Sequence, residues 1–278
     1  MKKTLLALLL VIALCIPTLV ACGEKVEVGT ETEYAVAHRV YSVCTLNGNY
    51  EKYDFQYADI SENGLVLSYG VCGMVPATAG NENFTSAPVS LKKLYDFKYD
   101  ENGTLLAVID GSTRYEVDKY DDGKAVTAKA PDAKNTTTSN DDGVWSFAYS
   151  AEHETFAFTP ANGLSGGFGS VRLDKYGKSF NNKSDTVSIM TYDADGYTLL
   201  SATMADGKKY DYTYNENGYC TLAATEENEY SFTYDNNNRV TGFTEHKVNG
   251  TNKTLVASYN VTYNEHDQIK EIVKSNKK

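Results

Sequence analysis

The sequence predicts an all-β protein, an antiparallel meander of repeated β-hairpins forming one or two curved sheets. Three observations predict it. Aromatic residues recur at alternate positions, as in YDYTYNENG, where Tyr210, Tyr212 and Tyr214 run into a polar turn. The same combination returns several times along the chain. Composition points the same way: 22 tyrosines against 5 prolines in 278 residues suit strands. Strand side chains alternate between faces, so each triplet lies on one side of a sheet, while residues between them, such as Asp211 and Thr213, face the other way and are polar.

The first element is a leader. Lys2 and Lys3 precede an apolar run from Thr4 to Ile16, too short for an ordinary spanning helix and matching a secretory signal over residues 1–21. Leu19-Val20-Ala21-Cys22 then resembles the bacterial lipobox. That resemblance implies lipid attachment at Cys22, which becomes the first mature residue on the outer side of the bacterial cell membrane. Each buried acyl methylene contributes about 0.8 kcal/mol, so two or more chains hold a protein on a bilayer. Residues 22–33 read as the lipidated cysteine and its tether.

Residues 34–128 form an N-terminal β-repeat region. It opens with a hairpin around Asn47-Gly48 and carries the triplets Tyr53-Phe55-Tyr57 and Tyr95-Phe97-Tyr99. A short helix is expected over 86–95, SAPVSLKKLY. Residues 129–143, KAPDAKNTTTSNDDG, have no apolar period and read as a polar loop or linker. Residues 144–278 form a C-terminal β-repeat region with Trp145-Phe147-Tyr149, Tyr210-Tyr212-Tyr214, Tyr230-Phe232-Tyr234 and the near copy Tyr259-Val261-Tyr263.

The turns share a pattern: YDENG (99–103), YDADG (192–196), YNENG (214–218), YDNNN (234–238) and YNEHD (263–267), with Tyr120-Asp121-Asp122-Gly123 a shorter relative. Asp or Asn at the strand end bonds its own following backbone, and Gly or Asn supplies the positive φ of a tight reversal. Six and nine residues past the last aromatic stand apolar pairs: Leu105 and Val108, Cys220 and Ala223, Val240 and Phe243, Ile269 and Ile272. A spacing of three breaks strict alternation and predicts a bulge or strong twist in the return strand. Cys220 fills an apolar slot and reads as a packed thiol rather than a nucleophile. The unit at Tyr192 departs from the rule, because Val187 and Ile189 are out of phase with it; its strand is either buried on both faces or a decayed copy.

YDNNNRVTGF (234–243) resembles the tyrosine-aspartate (YD, or Rhs-type) repeat, whose consensus is close to YDxxGRLxxV. The other units share Tyr-Asp/Asn, the turn and the apolar return but mostly lack the arginine. Proteins of that family build antiparallel β-structure from such units, some as large shells enclosing toxins. The resemblance implies a β-repeat surface protein, not a chemistry.

A net charge of −11 without basic clusters excludes nucleic acid as a natural partner, and it gives no electrostatic hold on anionic lipid. Of five cysteines, Cys15 leaves with the leader and Cys22 carries lipid. Cys44 and Cys72 either pair or stay as buried thiols. Gly163-Leu164-Ser165-Gly166-Gly167 fits the hydrolase pattern G-x-S-x-G, with His246 or His266 as base. That motif needs a helix directly after the serine, and the following GGFGSVRLD reads as a glycine-rich loop and strand. His153-Glu154 lacks a second histidine, since Ala157 stands four residues on, so no zinc site is expected. An EF-hand in the acidic turns would need glutamate where Ala202 and Ile109 stand. No metal and no cofactor are expected.

The aromatic stripes are the remaining candidate. Tyr210, Tyr212, Tyr214, Tyr230, Phe232, Tyr234 and Trp145 are candidate ligand-stacking residues if exposed, with neighbouring Asp and Asn bonding sugar hydroxyls; otherwise they form the core face. Trp145, the only tryptophan, would report a ligand bound nearby. The sequence thus supports a non-enzymatic, membrane-anchored surface lipoprotein whose β-repeat ectodomain binds an extracellular glycan, cell-wall polymer or protein. The alternatives are a structural spacer of the envelope and a hydrolase centred on Ser165.

Overall fold

The computed structural model describes residues 28–43, 55–73, 87–131, 143–161, 170–179, 189–204, 207–265 and 269–276. Among them the fold is all-β, with consecutive strands pairing antiparallel in two sheets. The first sheet holds β1 (Glu31–Thr32), β2 (His38–Val43), β3 (Phe55–Ile60), β4 (Val66–Gly73), β5 (Val89–Asp100), β6 (Leu105–Asp110), β7 (Thr113–Asp121), β8 (Lys124–Lys129), β9 (Val144–Ser150), β10 (Thr155–Thr159) and β11 (Val171–Leu173). From β2 to β11 they lie in chain order, and β1 is added beside the end of β5. The second sheet runs, again in chain order, through β12 (Met190–Tyr192), β13 (Leu199–Thr203), β14 (Lys209–Tyr214), β15 (Cys220–Ala224), β16 (Asn228–Tyr234), β17 (Val240–Asn249), β18 (Asn252–Tyr263) and β19 (Ile269–Asn276).

One hairpin design recurs in both sheets. Tyr214 pairs with Cys220, but its neighbour Thr213 pairs with Leu222, so the return strand carries one extra residue, Thr221. The same bulge follows Tyr99, Tyr192, Tyr234 and Tyr263. It explains the spacing of three: the inserted residue swings the next side chain back to the core face, and Cys220 and Ala223 are both fully buried there. At four of these turns the Asp or Asn side chain accepts two backbone N–H groups. Asp100 Oδ1 takes those of Asn102 and Thr104 at 3.0 and 2.8 Å, and Asp235 Oδ1 those of Asn237 and Arg239 at 2.9 Å each. Asn215 and Asp193 do the same. Asp174 heads a further copy of this turn, where Leu173 stands in the place of the tyrosine and hides the unit from a search for Tyr-Asp.

Five pairs of units are tied together by the last tyrosine of a strand. Tyr214 donates its hydroxyl to the Leu199 carbonyl at 2.8 Å, Tyr234 to Cys220 at 2.5 Å and Tyr263 to Val240 at 2.9 Å. Tyr99 reaches Val66 and Tyr120 reaches Leu105 in the first sheet. Every acceptor is the first residue of the preceding return strand, next to the bulge. This is the physical reason for tyrosine at that position, while phenylalanine serves at the middle one, as in Phe97 and Phe232.

Two cores result. The first sheet curls on itself: Tyr69 on β4 meets Phe158 on β10, six strands away, with ring centroids 5.3 Å apart, and Trp145 is fully buried against Phe158 and Phe97. The second core lies between the sheets. Tyr41, Val43, Phe55, Tyr57 and Cys72 of the first sheet pack on Tyr210, Tyr212, Cys220, Tyr230, Phe232, Phe243 and Tyr259 of the second. Strands β3 and β4 therefore bury both faces, Phe55 and Tyr57 toward one core and Ala58 and Ile60 toward the other. The outward face of the second sheet is exposed at Asp211, Thr213, Thr233 and Thr262.

Five expectations need correction or placing. The stretch expected to be helical near 86–95 enters β5 instead: Val89, Tyr95, Phe97 and Tyr99 are buried, and pairing with β4 and β6 overrides its local preference. In the first triplet the strand ends at Ile60, which pairs with Val66, and not at Tyr57. The unit at Tyr192 sits at a sheet edge, where Ile189 is exposed and Tyr192 packs against both cores. The polar stretch 129–143 joins β8 to β9, which are direct neighbours in one sheet, and the change of sheet comes between β11 and β12. The hairpin expected at Asn47-Gly48 lies outside the described residues.

Candidate functional site

The sheets meet where the start of β2 crosses the turns of the second sheet, and a groove of about 860 Å³ opens along this seam. Three pieces of chain build it. Ala37, His38 and Arg39 lead into β2, the turn 193–198 contributes Tyr197 and Thr198, and the turn 215–219 contributes Asn215, Glu216, Asn217 and Tyr219. The residue after each turn glycine is the aromatic one: Tyr197 follows Gly196 and Tyr219 follows Gly218.

Each ring is held by a neighbour from the first sheet. The His38 imidazole stacks on Tyr197, centroids 3.9 Å apart and planes 6° off parallel, and Tyr176 meets Tyr197 edge-on at 5.4 Å. The Arg39 guanidinium lies 4.6 Å from the Tyr219 ring centre and 5.5 Å from that of Tyr57. Gly70 makes room beneath, since a Cβ there would stand 2.5 Å from the Tyr57 ring and 2.4 Å from the Lys92 carbonyl oxygen. Arg39 also grips Asp59 with two nitrogens, at 2.7 and 3.1 Å, and Ser68 donates a third hydrogen bond to that carboxylate at 2.7 Å. Burial opposes the Arg39 charge, but the Asp59 carboxylate outweighs it and holds the guanidinium pKa above its ordinary value.

Below the groove the seam is sealed. Tyr41 donates to the Gly218 carbonyl at 2.9 Å and stacks on Tyr214 at 5.6 Å. Tyr192 donates to the Tyr41 carbonyl at 2.9 Å. Burial raises the Tyr41 pKa well above normal and pushes that of Tyr192 up to about 12, so both hydroxyls stay protonated donors.

The groove thus offers ring edges, amides, hydroxyls and one carboxylate, Glu216, with its cation already neutralised by Asp59. Such a lining suits a polar, uncharged ligand with flat or ring-shaped units. Among the described residues no cluster of His, Cys, Asp and Glu is arranged to hold a metal ion.

Most of the stacking residues expected from sequence are core residues. Tyr210, Tyr212, Tyr230 and Phe232 are buried in the inter-sheet core, with Tyr212 reaching the groove's base, and Trp145 is fully buried in the other core and is not part of the groove lining. Tyr214 and Tyr234 are half-buried, and Tyr214 lines the groove floor. Cys22, Ser165 and His266 lie outside the described residues. His153 is exposed in the turn after β9, and His246 lies on β17. Sequence reasoning missed His38, Arg39, Tyr197 and Tyr219. The two tyrosines had a legible signal, the Gly-Tyr pair closing DADGY and NENGY; His38 and Arg39 had none.

No family model matches the sequence, and no curated protein matches it. Among solved structures, the chain is similar to a Photorhabdus luminescens Tc holotoxin pore carrying the TccC3-D651A mutation, at 11% identity over 80% of this chain and 15% of that one, with a TM-score of 0.23. It is likewise similar to a TcdB2-TccC3-TEV structure, at 11% identity and a TM-score of 0.21. A TcdB2-TccC3 structure without its hypervariable C-terminal region gives 11% and 0.19. The chain spans about 15% of the length of each of these chains. What defines the repeat in this protein is its own recurrent geometry of bulge, side-chain-capped turn and tyrosine hydroxyl.

Proposed function

We propose that this protein is a non-catalytic surface lipoprotein, held on the outer face of the bacterial membrane by lipid on Cys22, whose β-repeat ectodomain binds an extracellular glycan in the seam groove. The observation that carries the reading is the groove lining: Tyr197 and Tyr219 stand beside Asn215, Glu216, Asn217 and Thr198 in a cleft of ligand size. With Arg39 neutralised and the chain acidic overall, the groove favours a neutral glycan over an anionic polymer.

The test is co-sedimentation of residues 24–278 with insoluble peptidoglycan and neutral polysaccharides. The paired change Glu216→Ala and Asn217→Ala removes exposed groove side chains without touching the core, and Tyr149→Ala serves as an exposed aromatic control outside the groove. Retention of the parent, at least a tenfold loss for the groove variant and no change for Tyr149→Ala are expected. No retention across the panel would remove the glycan reading. The Trp145 signal will not serve as the readout, because that side chain is fully buried in the first sheet's own core. A second reading, an envelope spacer, is favoured by the packing of the aromatic triplets in the cores. Cell fractionation of Cys22→Ser tests the anchor separately.

A further inference from the structure

We infer that the chain entering from Cys22 is strapped to the rim that carries the side-chain-capped turns and the groove, so that a lipid at Cys22 turns this rim, and not the opposite one, toward the bilayer. The lipid itself rests on the anchor reading above; the direction rests on the fold. Residues 29–34 are not a free tether. Glu31 and Thr32 pair with Asp100 and Tyr99 as strand β1. The Gly29 N–H donates to Asp100 Oδ2 at 2.9 Å and the Thr30 N–H to Glu101 Oε2 at 3.0 Å. Tyr34 donates its hydroxyl to the Asp100 carbonyl at 2.8 Å and meets the Tyr99 ring edge-on, and Arg114 pairs with Glu31 at 2.8 Å.

These contacts place Gly29 at the turn after β5. The turn after β3 lies at the same rim, because His38 at the start of β2 pairs with Ile60 at the end of β3. The turns of the second sheet lie there too, because Tyr41 bonds Gly218 and His38 stacks on Tyr197. Val36, between strap and β2, lines the groove itself. Gly29 is seven residue steps from Cys22, and an extended chain spans at most about 3.3–3.6 Å per residue, so the strap stays within roughly 25 Å of the anchored residue's backbone whatever path the chain takes. The turn at Gly250-Thr251 is at the other rim, one ten-residue strand away, about 33 Å at 3.3 Å per residue. The groove then opens to the space next to the membrane.

Energy transfer to an acceptor dye in the lipid headgroups tests this. In a Cys44→Ser background, whose described cysteines Cys72 and Cys220 are buried, a donor is placed at Asn237→Cys on the strap rim or at Thr251→Cys on the opposite rim. Each protein is reconstituted as the lipidated chain. A second sample replaces residues 1–22 with a histidine tag bound to nickel-chelating lipid, which puts the attachment at the same point without acylation and leaves no thiol there. Transfer at least twofold more efficient from position 237 than from 251 is expected in both samples. Equal or reversed efficiencies in the tagged sample overturn the inference. Failure of the untagged chain to float with vesicles, with position 237 still nearer in the tagged one, removes the anchor reading and leaves the strap inference standing.

Discussion

Replacing Tyr234 by phenylalanine removes one oxygen and probes the tie between repeats. The Tyr234 hydroxyl donates to the Cys220 carbonyl at 2.5 Å, and Cys220 is fully buried. The ring stays, so packing in the inter-sheet core changes little. What is lost is one hydrogen bond, and a buried carbonyl beside a bulge is left without its donor. A net hydrogen bond is worth about 0.5–1.5 kcal/mol and an orphaned buried acceptor costs about 1–3 kcal/mol, so a loss near 2 kcal/mol is expected. Tyr214→Phe breaks the equivalent bond to Leu199 and should cost a similar amount. Tyr214 is the cross-strand partner of Cys220, the acceptor of the Tyr234 bond, so the two sites are neighbours and the double variant should depart measurably from the sum. Tyr210→Phe is the internal control: the same chemistry at the first position of a triplet, where the hydroxyl makes no tie to a preceding return strand. The assay is urea unfolding followed by circular dichroism, with Trp145 fluorescence reporting the first sheet on its own. At about 2–4 °C per kcal/mol, thermal midpoints should fall visibly for the ladder variants. If Tyr234→Phe and Tyr214→Phe cost no more than Tyr210→Phe, the hydroxyl tie is not what selects tyrosine at that position, and the account of the repeat fails.

Two further outcomes are expected. Arg39→Ala strands the Asp59 carboxylate, whose side chain is 9% exposed, and should cost about 3–5 kcal/mol in urea unfolding; adding Asp59→Ala should recover part of that loss. Acid should loosen the turns. Burial would raise the Asp100 carboxyl, but the N–H groups of Gly29, Thr104 and Asn102 outweigh it and hold its pKa below normal; at Asp193 the bonds from Thr198 and Tyr197 likewise overcome burial. A carboxyl with a lowered folded pKa stabilises the fold above its unfolded value, about 3.9, and that contribution disappears as pH falls through the folded value. Stability should therefore be flat above about pH 5 and decline below about pH 4. Asp100→Asn, imitating the natural Asn215 turn, should flatten part of that decline in pH-dependent urea midpoints.

Much of this architecture is written locally. Alternation of rings specifies strands, Asp or Asn followed two or three residues later by Gly or Asn specifies the reversal, and the apolar pair at six and nine already contains the bulge, because only an inserted residue puts Cys220 and Ala223 on one face. These are interactions among residues close in sequence, so a single chain displays them. The seam is different. His38 meets Tyr197, Arg39 meets Tyr219 and Tyr41 meets Gly218 across more than 150 residues, and nothing in the local pattern of either partner signals the other. The same is true of the burial of β3 and β4 on both faces. Whether a tyrosine stripe is surface or core depends on what a distant sheet lays over it, and here the second sheet covers Tyr41, Phe55 and Tyr57 with its own rings. The residues of the chain determined that there would be hairpins and where each would turn; the curling of one sheet and the docking of the other decided which rings were buried and where a groove was left open.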